Sequence, residues 1–403
     1  MLLEFSFSNF LSFRDRVTFS MVTSALKDKH VVEEDAVFTV GGENPVTLGR
    51  SAAVFGANAS GKSNFITALS FLKWMVLNSS KDVQAGESVP VKNFALSCET
   101  ASEPSVFEIV IMIGEDTYRF GCNVVAKGVL GEWLYVRSGK KRSKEVELFY
   151  REGKEISVHP RFAIGKELVE KKMIRDNALL LSLAGQFNEP IAVDILKWFV
   201  DTAVISEANE KEAWDAAVRR LDDPAMRRRM VDFAKYADLG IDDILKGENG
   251  ILTSHIRYEE NGKPAGDVNF LMNESESEGT LKYFALSYPI IDALENGKRI
   301  VVDELGAKLH TLLVERVISL FSSHSANPKN AQLIVTLHDT NVLSSNLLRR
   351  DQIWFTRKDS MGASSLYSLS DYKVRNDASY EKDYLLGKYG ATPIIDDLTK
   401  ALR

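Results

Sequence analysis

The sequence lacks the features that mark several large classes of protein. It has only two cysteines, Cys98 and Cys122, without the paired spacing of zinc ligands, so we expect neither a disulfide framework nor a zinc site. It has no run of about 18 apolar residues, and its first residues lack the basic and apolar segments of a signal peptide. We therefore expect a protein of the reducing cytoplasm without a membrane segment.

Positive charge is also in short supply. The net charge of −6 argues against a protein that binds nucleic acid by bulk charge, although it leaves room for a local basic groove. The sequence shows no internal repeat. Its 403 residues, 45% hydrophobic and 26% charged, fit one large α/β domain that carries an inserted subdomain.

What the sequence does contain is a phosphate-binding loop within residues 54–64. A glycine, four residues and then Gly-Lys-Ser form the pattern that turns a strand into a helix around the phosphates of a nucleotide. In this pattern Lys62 reaches the β- and γ-phosphates of ATP, and the Ser63 hydroxyl ligates Mg²⁺. Glycines at both ends of the loop allow a close approach to the ligand. The residues that we assign to nucleotide binding here are Gly56, Asn58, Ser60, Gly61, Lys62, Ser63 and Asn64.

The residues on both sides of the loop agree with this interpretation. Residues 51–55 predict a short buried strand, and apolar residues recur at helical spacing between Phe65 and Val76. This context favours a nucleotide site over a glycine-rich turn without a ligand.

Alternating apolar and polar residues predict antiparallel strands in the first half of the chain. Residues 2–20 predict a hairpin, and residues 21–50 look irregular. The basic residues 140–144 fall in a turn, where a solvated hairpin tip is the simpler interpretation. The further strands are predicted at residues 106–113, 117–125, 131–136 and 147–150.

The middle of the chain has a different pattern. Residues 177–183 form an apolar run that we interpret as a strand, with Gln186 shortly after it. From there to about Leu271 the pattern is largely helical, with Pro224 and Gly240 among its interruptions. We expect a compact helical subdomain in this region.

Two further buried strands end in residues with useful chemistry. Residues 300–302 are followed by Asp303 and Glu304, and residues 332–337 are followed by His338. Alone, such residues are more often solvated acids and an ordinary histidine. Beside a phosphate loop they gain meaning, because ligands bind at the carboxyl ends of parallel strands. We expect Asp303 to complete the Mg²⁺ shell, Glu304 to deprotonate the attacking water, and His338 to contact the γ-phosphate or hold that water.

The order of these motifs resembles that of the ABC-type ATPases of the SMC, RecF and OLD group. Ser277-Glu278-Gly279-Thr280, before an apolar helix that Ser277 would cap, belongs to the same order. The sequence is particularly similar to the stand-alone bacterial ATPases of abortive-infection and anti-phage systems, in its opening residues 4–10, its loop 56–64 and its tail 384–390.

This resemblance implies an α/β P-loop NTPase of ABC type, with an N-terminal antiparallel β region and an inserted helical subdomain. The divisions that we expect are a first ATPase lobe at 1–186, the helical insert at 187–273 and a second ATPase lobe at 274–403.

The resemblance also implies roles for individual residues. Gln186 would link Mg²⁺ to the helical lobe, and Ser277 and Gly279 would form a signature that meets the γ-phosphate held by a second subunit. His338 would be the switch histidine. Two chains would then enclose two ATP molecules head to tail, as a dimer or within a larger homo-oligomer.

The sequence departs from the family in one loop and in one domain. Residues 305–308 are Leu-Gly-Ala-Lys where the family has an acidic residue and then a small hydroxyl residue, so we expect altered communication between the sites and altered turnover. Only 65 residues follow His338, whereas the additional nuclease domain of OLD proteins needs about 100. We therefore expect a separate toxin or nuclease to act as the effector.

Two other functions remain as alternatives. A RecF-like protein would clamp DNA, with the basic residues 227–229 and 140–144 as its support. A P-loop kinase would not need Ser277 to Gly279 or the Asp303-Glu304 pair in this order.

Overall fold

The computed structural model describes residues 1–26, 31–236, 240–374 and 378–393. Most of the strands fall in two large sheets, one antiparallel and one mainly parallel. The strands are β1 Leu2–Ser8, β2 Val17–Ser20, β3 Val37–Val40, β4 Val46–Gly49, β5 Ser51–Gly56, β6 Ser105–Ile113, β7 Asp116–Val125, β8 Gly128–Arg137, β9 Glu145–Glu152, β10 Glu155–Val158, β11 Thr202–Ile205, β12 Asp243–Gly247, β13 Gly250–Tyr258, β14 Pro264–Leu271, β15 Arg299–Val302, β16 Gln332–Leu337, β17 Ile353–Lys358 and β18 Ser364–Ser368. The helices are α1 Glu33–Ala36, α2 Lys62–Asn78, α3 Ala163–Glu170, α4 Leu180–Gln186, α5 Pro190–Val200, α6 Glu210–Arg220, α7 Pro224–Tyr236, α8 Met272–Ser275, α9 Glu278–Asn296, α10 Thr311–Ser322 and α11 Tyr380–Leu385.

The antiparallel sheet has seven strands in the order β10-β9-β8-β7-β6-β1-β2. The hairpin of β1 and β2 and the four strands from β6 to β9 confirm the predicted antiparallel strands, and residues 140–144 lie between β8 and β9 as expected. The expectation that residues 21–50 are irregular is wrong in part, because β3 and β4 pair as a small hairpin there.

The second sheet has the order β11-β15-β16-β5-β17-β18, and all of its pairs except β17 with β18 are parallel. Both of its faces are buried, as a parallel sheet requires. Along β5, Ala52 and Val54 pack into the core shared with the antiparallel sheet and α2, whereas Ala53 and Phe55 pack into a second core that includes residues of α9 and α10. The α/β fold with an antiparallel sheet is therefore confirmed.

Two predictions for the middle of the chain are wrong. The apolar run at residues 177–183 is not a strand, because Leu180–Gln186 is the helix α4. The region up to Leu271 is helical only in part, because β12, β13 and β14 form a separate antiparallel sheet there. The division into 1–186, 187–273 and 274–403 stays a prediction, and the last residues of its third part lie outside the described ones.

The helices that the structure describes include none that is both long and apolar enough to cross a bilayer.

A buried carboxylate joins α4 to the antiparallel sheet. The side chain of Glu132 on β8 is fully buried and accepts the N–H groups of Leu180 and Leu181, at 2.7 and 2.9 Å. The guanidinium of Arg151 lies 3.9 Å away and is itself buried. Burial is the largest influence and raises the pKa of Glu132 from 4.5 to about 7, although Arg151 and the two N–H groups favour the charged form.

This raised pKa predicts a pH-dependent contribution to stability. A group whose pKa is raised by folding stabilises the protein fully below its unfolded pKa, here 4.5, and loses that contribution as the pH rises through about 7. We expect the free energy of unfolding of the wild type, relative to Glu132→Gln, to fall by on the order of 2 kcal/mol between about pH 5 and pH 8 in urea titrations. Glu152→Gln on the neighbouring strand, where the side chain is exposed, is the matched control. A difference that does not change with pH would contradict this prediction.

Candidate nucleotide-binding and hydrolysis site

Four parallel strands end at the same edge of the second sheet. The phosphate loop follows β5, Ser206 follows β11, Asp303 follows β15, and His338 follows β16. Ligands of α/β proteins bind at this edge. A cleft of about 420 Å³ lies there and is lined by Ser63, Thr67, Ile205, Ser206, Glu207, Ala208, Glu210, Lys282, Ala285, Leu286, Val302, Asp303, Glu304, Ala307 and Lys308.

The phosphate loop needs both of its glycines. Gly56 has φ +158°, and a Cβ there would lie 2.6 Å from the carbonyl oxygen of Thr356. Gly61 has φ +118°, and a Cβ there would lie 2.6 Å from the hydroxyl oxygen of Ser364. These backbone angles and close approaches exclude larger residues at both positions.

The loop holds its lysine over its own carbonyl groups. The Lys62 ammonium donates to the carbonyl oxygens of Gly56 at 2.7 Å and Ala57 at 3.1 Å. Burial, the largest influence, lowers the pKa of Lys62 to about 8, whereas Glu304 and Asp303 act in the opposite direction. The phosphate oxygens of a nucleotide would replace these carbonyl groups as acceptors.

The other loop residues that we assigned to nucleotide binding have different surroundings. Ser63 and Asn58 are exposed, and Ser63 lines the cleft. The hydroxyl of Ser60 is buried and hydrogen-bonded to that of Thr356 at 2.6 Å, and the Asn64 amide donates to the hydroxyl of Ser12 at 2.7 Å. The side chains of Ser60 and Asn64 therefore stabilise the loop through hydrogen bonds to residues outside it.

The carboxylate pair is anchored to the next strand by one buried threonine. The Thr336 hydroxyl on β16 donates to Asp303 at 2.6 Å and accepts the backbone N–H of Glu304 at 2.7 Å. The Glu304 carboxylate then lies 3.3 Å from Nε2 of His338, and both side chains are exposed. An exposed carboxylate beside an imidazole, next to a phosphate loop, is suited to activating a water molecule.

The structure does not bring Gln186 to this site. Gln186 shares a surface hollow with Leu77 and Asn78 at the far end of α2, about 24 Å along that helix from Lys62. Two other residues line the cleft instead, Glu207 and Glu210, and both follow the neighbouring strand β11. A short apolar run at residues 202–205 followed by polar residues is the signal that could have identified them.

The second group that the sequence analysis missed is Lys282 on α9. Its ammonium donates to the backbone carbonyl of Glu304 at 2.6 Å and lines the cleft. Burial, the largest influence, lowers the pKa of Lys282, and the nearby carboxylates of Glu210 and Glu304 counteract it.

Ser277 caps α9 as predicted, and its hydroxyl accepts the backbone N–H of Thr280 at 3.1 Å. Ser277 is exposed and lies outside the lining of the cleft that contains Ser63. Gly279 packs within its own chain, because a Cβ there would overlap the carbonyl oxygen of Lys308.

The cleft offers oxygen ligands of the kind that Mg²⁺ prefers. Ser63 and Asp303 both line it, and Lys62 adjoins Ser63 at the start of α2. Mg²⁺ in nucleotide sites is held by one or two such protein groups together with phosphate oxygens. When bound there, the ion would neutralise charge on the β- and γ-phosphates.

The fold and the loop define a P-loop nucleotide-binding protein of the α/β class. Residues 51–344 match a family described as "AAA domain, putative AbiEii toxin, Type IV TA system". Because the match covers more than half of the chain, the protein belongs to this family. The comparison with curated proteins found no match.

Solved structures with distant similarity to the chain are also known. The SMC head domain from Thermotoga maritima has 14% identity and a TM-score of 0.40, over 91% of this chain and 98% of that one. Two complexes of the recombination mediator protein RecF in the RecFOR pathway are also similar to the chain. Its ATPrS complex has 12% identity and a TM-score of 0.34, over 91% of this chain and 98% of that one. Its ATP complex has 10% identity and a TM-score of 0.29, over 84% and 94%.

The crowding at Gly61 predicts a specific loss of nucleotide binding. We expect Gly61→Ala to weaken the binding of a fluorescent ATP analogue by ~10-fold or more. The loop would have to move away from Ser364, and it would then no longer be correctly placed to bind the phosphates. Gly114→Ala is the matched control, since Gly114 also has positive φ, +60°, but nothing lies within 4 Å of the added Cβ. Equal effects of the two changes on binding would contradict the role of the loop.

Proposed function

We propose that this protein is a Mg²⁺-dependent ATPase of ABC type that acts in bacterial anti-phage defence. Two copies would bind two ATP molecules between them, and their ATP-dependent association would control a separate effector. The observation that carries the proposal is the meeting of Lys62, Asp303 and Glu304 at one edge of the parallel sheet, beside a cleft of about 420 Å³.

The chemistry follows from the positions of these groups. A water molecule attacks the γ-phosphorus, Glu304 accepts a proton from it, and the bond between the γ-phosphorus and the bridging oxygen breaks to give ADP and phosphate. His338, 3.3 Å from Glu304, would hold the carboxylate or the water in place. Lys62 would stabilise the negative charge on the phosphate oxygens.

The exposed start of α9 supports the association of two copies. Ser277 and the positive end of a 19-residue helix face outward, where they would suit a phosphate group bound by another chain. Ser277 does not line the cleft of its own chain. A second copy is therefore our proposed source of the phosphate that it meets.

Replacing the proposed base tests the ATPase function. We expect Glu304→Gln to bind Mg²⁺ and ATP but to lower kcat by ~100-fold or more, because the amide cannot accept the proton of the water. The variant should accumulate as an ATP-bound dimer in size-exclusion chromatography with light scattering.

Glu170→Gln is the control, since Glu170 is an exposed carboxylate on α3, away from the cleft. Wild-type turnover by Glu304→Gln would remove Glu304 from its role. A variant that binds ATP but stays monomeric would overturn the proposed association.

The defence role rests on the family. Its description names a putative toxin and a type IV toxin–antitoxin system. The description does not say whether a member chain is itself toxic. We propose that this chain regulates, and that a companion protein supplies the toxic chemistry.

Growth assays separate these two arrangements. We expect expression of this chain alone to leave bacterial growth unchanged, and co-expression with the neighbouring reading frames to arrest growth in a manner that depends on Lys62. The comparison of wild type and Lys62→Ala, alone and with the neighbours, reads out both effects. Growth arrest by the chain alone that disappears in Lys62→Ala would show that the effector is not separate.

The alternative of a DNA clamp is less well supported. Arg227 pairs with Asp243, and Arg229 pairs with Glu295, so neighbouring carboxylates neutralise two of the three arginines in that basic run. Such pairs leave less positive charge for a phosphate backbone.

A further inference from the structure

One contact joins the helix that begins at Ser277 to the proposed catalytic residue of the same chain. Lys282 lies in the second turn of α9, and its ammonium donates to the backbone carbonyl oxygen of Glu304 at 2.6 Å. The side chain is half-buried and lines the same cleft as Ser63 and Asp303. The lysine therefore reaches from α9 to the end of β15.

The residue that it holds has an unfavourable backbone conformation. Glu304 has φ +50°, in the left-handed region that non-glycine residues rarely occupy. Such a conformation is unfavourable and persists only where the surroundings enforce it.

Two different elements enforce this conformation. On one side, the Glu304 N–H donates to the hydroxyl of Thr336 at 2.7 Å, which ties the residue to β16. On the other side, its carbonyl oxygen accepts from Lys282 and from the N–H of Ala307, at 2.6 and 2.9 Å. Thr336 belongs to the sheet and Ala307 to the turn that follows β15. Lys282, in contrast, belongs to the helix α9.

The first residues of α9 also pack against Lys308, in the segment that follows Glu304. The Lys308 ammonium lies 3.4 Å from the carboxylate of Glu278, and the close approach of Gly279 to the Lys308 carbonyl leaves no room for a side chain. A displacement of the first turns of α9 would therefore pull on the residues that follow Glu304.

We propose that Lys282 is a positioning residue that sets the direction of the Glu304 carboxylate according to the position of α9. The proposal rests on the ATPase function proposed above. When Ser277 of the first copy contacts the triphosphate bound by the second copy, α9 of the first copy is held in position. Lys282 on that helix then holds Glu304 of the same first copy. Each site would then reach its full rate only when the other site holds ATP.

Removal of the ammonium tests this role. We expect Lys282→Met, which keeps the length of the aliphatic stem and removes the ammonium, to lower kcat by ~10- to 100-fold, because a misplaced group loses catalytic power steeply with distance. The KM for ATP and the Kd of a non-hydrolysable analogue should change by less than ~3-fold, because the hydrogen bond of Lys282 is to Glu304 rather than to the phosphate loop. Lys282→Arg should recover at least ~10-fold of the loss, because a guanidinium can donate to the same carbonyl.

A matched control lies just beyond the other end of the same helix, which ends at Asn296. Lys298 pairs with Asp292 at 2.8 Å and with Asp201 at 3.6 Å, outside the cleft, so Lys298→Met removes a comparable lysine without touching Glu304. We expect it to keep the wild-type kcat. An equal loss of kcat in both methionine variants would show that the effect comes from a disturbed α9 in general, and would overturn the proposal.

Other outcomes also decide the question. An active wild type with an equally active Lys282→Met would overturn this inference and leave the ATPase function intact. A weaker affinity for ATP at unchanged kcat would make Lys282 a phosphate ligand, which also overturns it. A wild type that hydrolyses no ATP would overturn the proposed function itself.

Discussion

The parallel pairing of four neighbouring strands is the constraint on which the site depends. Backbone hydrogen bonds fix the register of β11, β15, β16 and β5, and both faces of this sheet are buried. A slip by one residue would move side chains fitted to one core into the other. The sheet therefore determines where each strand ends, and it brings Lys62, Asp303 and His338 together although they lie far apart in the sequence.

The sheet alone does not determine how Glu304 enters the cleft. Its left-handed backbone is held from β16 by Thr336 and from α9 by Lys282. Strain of this kind survives only where several contacts agree. Because β16 and α9 are both needed, the arrangement of the Glu304 carboxylate depends on tertiary packing. A shift of either element would therefore change the position of this carboxylate.

This difference explains which parts could be predicted from the sequence. The phosphate loop was predictable because its chemistry fixes glycine, lysine and serine at set spacings, and β15 and β16 were predictable as continuous apolar runs. Gln186 was misplaced because a short apolar run fits a buried helix as well as a strand. The neighbouring strand Thr202–Ile205 was missed because its short apolar run directly follows the helical pattern of residues 190–200. In residues 243–271 the alternation was weak because β14 is exposed along most of its length.

The charges of the cleft bear on how ATP and its metal ion would enter. Four acidic residues line the cleft, Glu207, Glu210, Asp303 and Glu304, and only two lysines, Lys282 and Lys308, line it with them. A triphosphate carries several negative charges and would be repelled by these acids unless a cation entered with it. Ser63 and Asp303 would supply only two oxygen ligands to a Mg²⁺ ion, which prefers six, so phosphate oxygens and water would complete its shell. The balance of charge therefore favours a site that takes up the ion together with the nucleotide.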